Sequence, residues 1–121
     1  MAKKKVLVVD DTAAHLQHLA DIVSGAGYQV VTATSGKEAV EKSKSEQPNM
    51  IFLDIVMDDL DGYGACREIT RDTDTKDIPV VFVSTKSQRA DRLWAEKQGA
   101  KGLIGKPAES ADIVDALETY I

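Results

Sequence analysis

Three short stretches of the chain are almost purely apolar and each stops abruptly on a polar residue. Val6-Leu7-Val8-Val9 runs into Asp10-Asp11, Met50-Ile51-Phe52-Leu53 into Asp54, and Pro79-Val80-Val81-Phe82-Val83 into Ser84-Thr85. Runs of this length and composition are strands buried on both faces, because an alternating pattern would mark a strand with one wet face. A sheet buried on both faces needs a layer on each side, and the residues between the runs supply it. From Ala13 the pattern is helical, with Leu16, Leu19, Ala20 and Val23 at i, i+3, i+4 and i+7, and Gly25 and Gly27 follow as stop signals.

The remaining segments continue the alternation. Tyr28 to Ala33 reads as a second strand, less apolar and so nearer an edge. Ser35 and Glu38 have capping-box spacing and open a helix to about Ser45, and Pro48 precedes the strand that ends at Leu53. A helix over Tyr63 to Arg71 turns Ala65, Cys66 and Ile69 inward, and the polar stretch from Asp72 to Asp77 is a loop. Proline is tolerated at the first position of a strand, where Pro79 stands. A helix carrying Ala90, Leu93 and Trp94 closes at Gly99, and Gly102-Leu103-Ile104 is a short strand leading to Gly105-Lys106-Pro107. The last helix aligns Ile113, Val114, Leu117, Tyr120 and Ile121. Strands alternating with helices through short connections give an α/β fold with a parallel sheet covered on both faces.

At 121 residues the chain is expected to form a single domain over 1–121, with no attached output domain. A net charge of -5 argues against a nucleic-acid surface, which needs a basic stripe. No stretch reaches the roughly 18 apolar residues of a membrane span, and no leader opens the chain, so a cytoplasmic location is expected. The lone Cys66 forms no internal disulfide, which suits a reducing compartment, and reads as a core-facing residue.

In a parallel sheet the strand ends share one rim, and ligands bind outside the carboxyl ends. Asp10, Asp11, Asp54, Ser84 and Lys106 all fall there. Three carboxylates together repel unless a cation sits among them, and oxygen ligands in that number suit Mg²⁺. A carboxylate can also attack phosphorus to give an aspartyl phosphate, with a lysine pairing one phosphoryl oxygen and a hydroxyl bonding another. His15 and His18 have a spacing that could hold a metal on one helix face, but a solvated face is the reading preferred here.

Val8-Val9-Asp10-Asp11, Leu53-Asp54-Ile55-Val56-Met57, Val83-Ser84 and Lys106-Pro107 together resemble the receiver domain of bacterial response regulators, the CheY-like fold, over essentially the whole chain. The resemblance implies a flavodoxin-like, doubly wound sheet of order 2-1-3-4-5, for which CheY is itself an example. It implies that Asp54 is the phosphoacceptor and that Asp11 and Asp54 hold Mg²⁺ directly, with Mn²⁺ able to substitute. Asp10 would act through water, and the backbone carbonyl of Val56 would be a further ligand. Lys106 would contact the phosphoryl group, Ser84 would carry the switch, and the bond to Pro107 would be cis. Asp54-Ile55-Val56-Met57, Ser84-Thr85-Lys86-Ser87-Gln88, and Trp94 followed by Gln98-Gly99-Ala100, narrow the resemblance to single-domain PilH-type regulators of type IV pilus twitching systems. A sensor histidine kinase of CheA type would then supply the phosphoryl group, and a downstream protein would read the result. The chain would be a monomer or weak dimer, and a switch rather than an enzyme.

Several positions depart from the family pattern. Asp58 stands where proline is common, and with Asp59 and Asp61 makes an acidic loop, read as solvated or as an added field on the cation. Leu103 stands where many relatives carry a switching Tyr or Phe, so the switch would rest on Ser84 and the following segment. Val56 and Lys86 flank the path of the hydrolytic water and can neither orient it nor act as a base. Trp94 is either core or partner surface. The rival readings are weaker. Asp10-Asp11 would repel the phosphate of a flavin, and an aspartyl phosphohydrolase would need a second Asp at Val56. A phosphate sink or a non-phosphorylated interaction module would keep the same core residues.

Overall fold

The computed structural model describes residues 3–121, which form a five-stranded parallel sheet of order β2-β1-β3-β4-β5 with five helices. In chain order the elements are β1 (Lys5–Val9), α1 (Ala13–Gly25), β2 (Gln29–Ala33), α2 (Gly36–Glu46), β3 (Met50–Leu53), α3 (Gly62–Arg71), β4 (Val80–Ser84), α4 (Arg89–Lys97), β5 (Gly102–Gly105) and α5 (Ser110–Tyr120). The expected doubly wound architecture and its strand order are those observed, and β2 lies at an edge as its mixed composition suggests.

Side chains alternate across a strand, so each apolar run feeds two cores at once. Leu7, Val9, Ile51, Leu53 and Phe82 face a layer formed by α2, α3 and α4. Val6, Val8, Met50, Phe52, Val81 and Val83 face α1 and α5 through Leu19, Val23, Ile113 and Leu117. Each of these buried apolar side chains contributes about 1.5–3 kcal/mol over an exposed one. The central strands are therefore rigid, and their carboxyl ends are fixed supports for whatever stands on them. None of the described helices is long and apolar enough to cross a membrane.

One local expectation needs correction, and the open reading of Trp94 is resolved toward the surface. The Ser35 hydroxyl accepts the N–H of Glu38 as a cap should, but Glu38 reaches back to the N–H of Thr34 rather than to that of Ser35. On α4, Leu93 and Trp94 are 52% and 48% exposed and Ala90 is exposed, while Ala95 is the buried residue. The apolar pair thus lies on the outer side of the helix, with Trp94 edge-on to Tyr63 at 6.4 Å between ring centres.

Candidate functional site

The rim begins where the sheet's hydrogen-bond ladder runs one residue past the strands. Asp10 donates its backbone N–H to the Ala33 carbonyl, Asp54 to that of Val9 and Lys106 to that of Ser84. The backbone of each functional candidate is thereby tied to a neighbouring strand before its side chain does anything. Asp10, Asp11 and Asp54 present oxygens that lie within 4.8 Å of one another. Asp10 and Asp54 are buried, and Asp11 is exposed at the mouth.

The loop after β3 folds back tightly over this rim. Gly62 donates to the Ile55 carbonyl at 2.7 Å, and a Cβ at position 62 would lie 2.0 Å from the Asp54 carbonyl oxygen. Only glycine leaves room for that approach, which accounts for the glycine that ends the acidic stretch. The same stretch is neither simply solvated nor aimed at a cation. Asp59 accepts the N–H groups of Gly36 and Lys37 at the start of α2, and Asp61 accepts that of Gly64 in α3. Two of the three loop carboxylates therefore complement helix N-termini, where negative charge is favoured. Asp58 is exposed.

Lys106 is the cation of the cluster. Its Nζ donates to Asp10 Oδ2 at 2.7 Å and to Asp54 Oδ2 at 3.4 Å, with the lysine side chain 11% exposed. Asp10 also accepts the Thr12 N–H through Oδ1, and Asp54 accepts the Ile55 N–H at 2.7 Å. Burial pushes the Asp54 carboxyl above its ordinary value. The Lys106 charge opposes that rise, Asp10 adds to it, and the Ile55 N–H works against it. One ammonium against three carboxylates leaves the cluster short of positive charge. A divalent cation with oxygen ligands fits that deficit and that spacing, and receiver domains bind Mg²⁺ in such an acidic site.

The other candidates are placed as follows. Ser84 is fully buried at the end of β4, and its Oγ accepts the Lys86 N–H at 3.1 Å, so the hydroxyl is held by the following loop. Val56 is 53% exposed beside the site. Leu103 is buried against the core, and its carbonyl accepts from Arg92 at 2.6 Å. The Lys106–Pro107 bond is cis. Cys66 is buried, and burial pushes its thiol up to about 12, so it is inert core.

His15 and His18 are both exposed, as the solvated-face reading expects, and each also has a polar partner. His15 Nδ1 lies 2.9 Å from Lys106 Nζ, and His18 Nε2 lies 2.8 Å from the Ala108 carbonyl. Both line a cavity of about 310 Å³ together with Leu19, Val83, Pro107 and Ala108. Their place on the first helix puts both near the rim, but the specific pairing of His15 with a lysine 91 residues later is not visible in the sequence.

Comparison with known proteins agrees with this geometry. The family model described as "Response regulator receiver domain" matches residues 6–118. The chain is 32% identical to "Protein PilH" of Pseudomonas aeruginosa, over 97% of this chain and 97% of that one. It is 40% identical to "Chemotaxis protein CheY" of Thermotoga maritima, over 94% of each. A chain of the CheX–CheY–BeF3–Mg²⁺ complex from Borrelia burgdorferi superposes with a TM-score of 0.91 at 27% identity, covering 99% of this chain and 91% of that one. A match that spans both cores and every strand end leaves one conclusion: the chain belongs to the response regulator receiver domain family.

Proposed function

We propose that this protein is a phosphorylation switch in which Asp54 accepts a phosphoryl group, Lys106 pairs with it and Ser84 responds to it. The observation that supports this most is the Lys106 ammonium bonded to two buried carboxylates at the carboxyl end of the sheet. Asp54 Oδ2, held on a rigid strand end, forms a bond to phosphorus as the bond from phosphorus to the donor's leaving atom breaks. The donor is a phosphohistidine or an acyl phosphate, and the leaving group departs on the side away from Asp54. Asp10, Asp11, Asp54 and the Val56 carbonyl would hold Mg²⁺, or Mn²⁺ in its place, and the bound ion supplies charge to the phosphoryl oxygens. Lys106 exchanges its hydrogen bond to Asp54 for one to a phosphoryl oxygen. The Ser84 hydroxyl, now bonded to the Lys86 N–H, turns to a second phosphoryl oxygen and releases that loop.

Receiver domains work with histidine kinases and downstream targets. For this chain we assign a kinase of CheA type and a role in a chemosensory or twitching system, on the strength of the likeness to PilH and CheY. The site assists gain and loss of its own phosphoryl group and turns over no other substrate. Incubation with acetyl phosphate and Mg²⁺, followed by intact-mass measurement, tests the proposal. Wild type is expected to gain one phosphoryl mass and Asp54→Ala none; equal gain by both, or none by wild type, would overturn it.

A further inference from the structure

We propose that His15 is a positioning residue for Lys106, holding its ammonium beside Asp54. The inference rests on the phosphoacceptor reading of the site. A lysine ammonium has three N–H donors and no acceptor, so the ring nitrogen facing it must carry a lone pair. His15 Nδ1, 2.9 Å from Nζ, is therefore an acceptor, with the ring proton on Nε2. The other two donors go to Asp10 Oδ2 at 2.7 Å and Asp54 Oδ2 at 3.4 Å. Both of those acceptors belong to the reacting cluster. Asp10 is a candidate ligand of the cation, and the Asp54 oxygens are the ones that change when phosphorus arrives. The imidazole takes part in neither change.

Two further features support the assignment. The cavity of about 310 Å³ lies beside the lysine, walled by Leu19, Val83, Pro107 and Ala108. An unrestrained side chain with four rotatable bonds has room to swing into it, and the His15 ring stands on the cavity's lining next to Nζ. One turn along the same helix, His18 Nε2–H donates to the Ala108 carbonyl at 2.8 Å. This bond ties α1 to the segment only two residues beyond Lys106, adding a local tie between the helix of His15 and the loop of the lysine. The i, i+3 histidine pair thus has a division of labour: one ring anchors the helix and the other receives the ammonium.

The test uses the full chain with acetyl phosphate and Mg²⁺, comparing wild type, His15→Leu and His15→Asn. Asparagine keeps an acceptor oxygen where Nδ1 stands, and leucine keeps the bulk alone. Misplacing a group by about 1 Å can cost up to about a hundredfold in rate. A partly restrained lysine should therefore lose about tenfold in the phosphorylation rate constant at saturating donor. His15→Leu is expected to show that loss with the half-saturating donor concentration unchanged, and His15→Asn to recover most of it. A wild-type rate in His15→Leu, or an equal loss in His15→Asn, overturns the proposal. Urea unfolding of wild type, His15→Leu, Lys106→Met and the double variant reads the contact without any phosphoryl group. The two substitutions should be coupled by about fivefold in the folding constant; additivity overturns the proposal. If wild type takes no phosphoryl group at all while the coupling is present, the reading of the site fails and the contact between His15 and Lys106 stands.

Discussion

Replacing Lys106 by methionine keeps the length and apolar stem of the side chain and removes the only ammonium that contacts Asp10 and Asp54 among the described residues. The two ion pairs measure 2.7 and 3.4 Å, and the partners' side chains are 2% and 9% exposed. Removing one member of a buried pair generally costs about 3–5 kcal/mol, because the remaining charge is left desolvated. Each carboxylate here keeps one backbone N–H, from Thr12 or Ile55, so the lower end applies, about 3 kcal/mol at neutral pH. For a chain of this size each kcal/mol moves the melting temperature by about 4 °C, which places Lys106→Met about 12 °C below wild type in EDTA. Saturating Mg²⁺ should then close much of the gap. The ion no longer competes with a fixed cation, so its affinity should rise about tenfold, or about 1.4 kcal/mol. Urea unfolding in EDTA and in Mg²⁺, with equal denaturant slopes, reads both quantities. Equal stability of the two proteins in EDTA, or a gap that Mg²⁺ leaves untouched, would refute the electrostatic account.

Three other outcomes follow from the same geometry. Because burial raises Asp54 above the ordinary carboxyl value of 3.8, the unfolded chain releases this proton first as pH rises. Metal-free stability should therefore fall between that value and the folded one, with the full penalty present above it, and urea titrations of Asp54→Asn should lack this slope and show greater stability at neutral pH. Gly62→Ala puts a Cβ 2.0 Å from the Asp54 carbonyl oxygen and should cost about 1–3 kcal/mol in urea unfolding, together with weakened Mg²⁺ binding; a neutral substitution would mean the loop does not hold this approach. The Val56→Asn, Lys86→Glu double variant should lose its phosphoryl group about tenfold faster than wild type, a barrier change of about 1.4 kcal/mol, measured by chasing the phosphorylated protein after donor removal. Equal or slower loss would contradict it.

What was legible in the sequence was whatever depends on neighbours along the chain. The runs ending at Val9, Leu53 and Val83 identified the central strands because burial on both faces leaves no polar position to obscure them. Their abrupt ends on Asp10, Asp54 and Ser84 placed the candidate site, since parallel strands share one rim. Three features were not legible, each for want of a long-range partner. Asp59 looked like part of a solvated acidic loop until α2, 23 residues earlier, presented its N–H groups to it. Trp94 could be read as core or as partner surface, and only the packing of α4 through Ala95 puts it on the outer side. His15 is an ordinary helix residue by pattern and gains its place only when Lys106 returns along β5.

The account rests on a covalent bond between Asp54 and phosphorus, and borohydride reduction of the phosphorylated protein tests it at the atom. Reduction of an aspartyl phosphate yields homoserine. After acetyl phosphate and Mg²⁺, peptide sequencing should find homoserine at position 54 and unmodified aspartate at 10, 11, 58, 59 and 61. Homoserine at one of those other positions, or none anywhere in a protein that has gained phosphoryl mass, would contradict the assignment of Asp54.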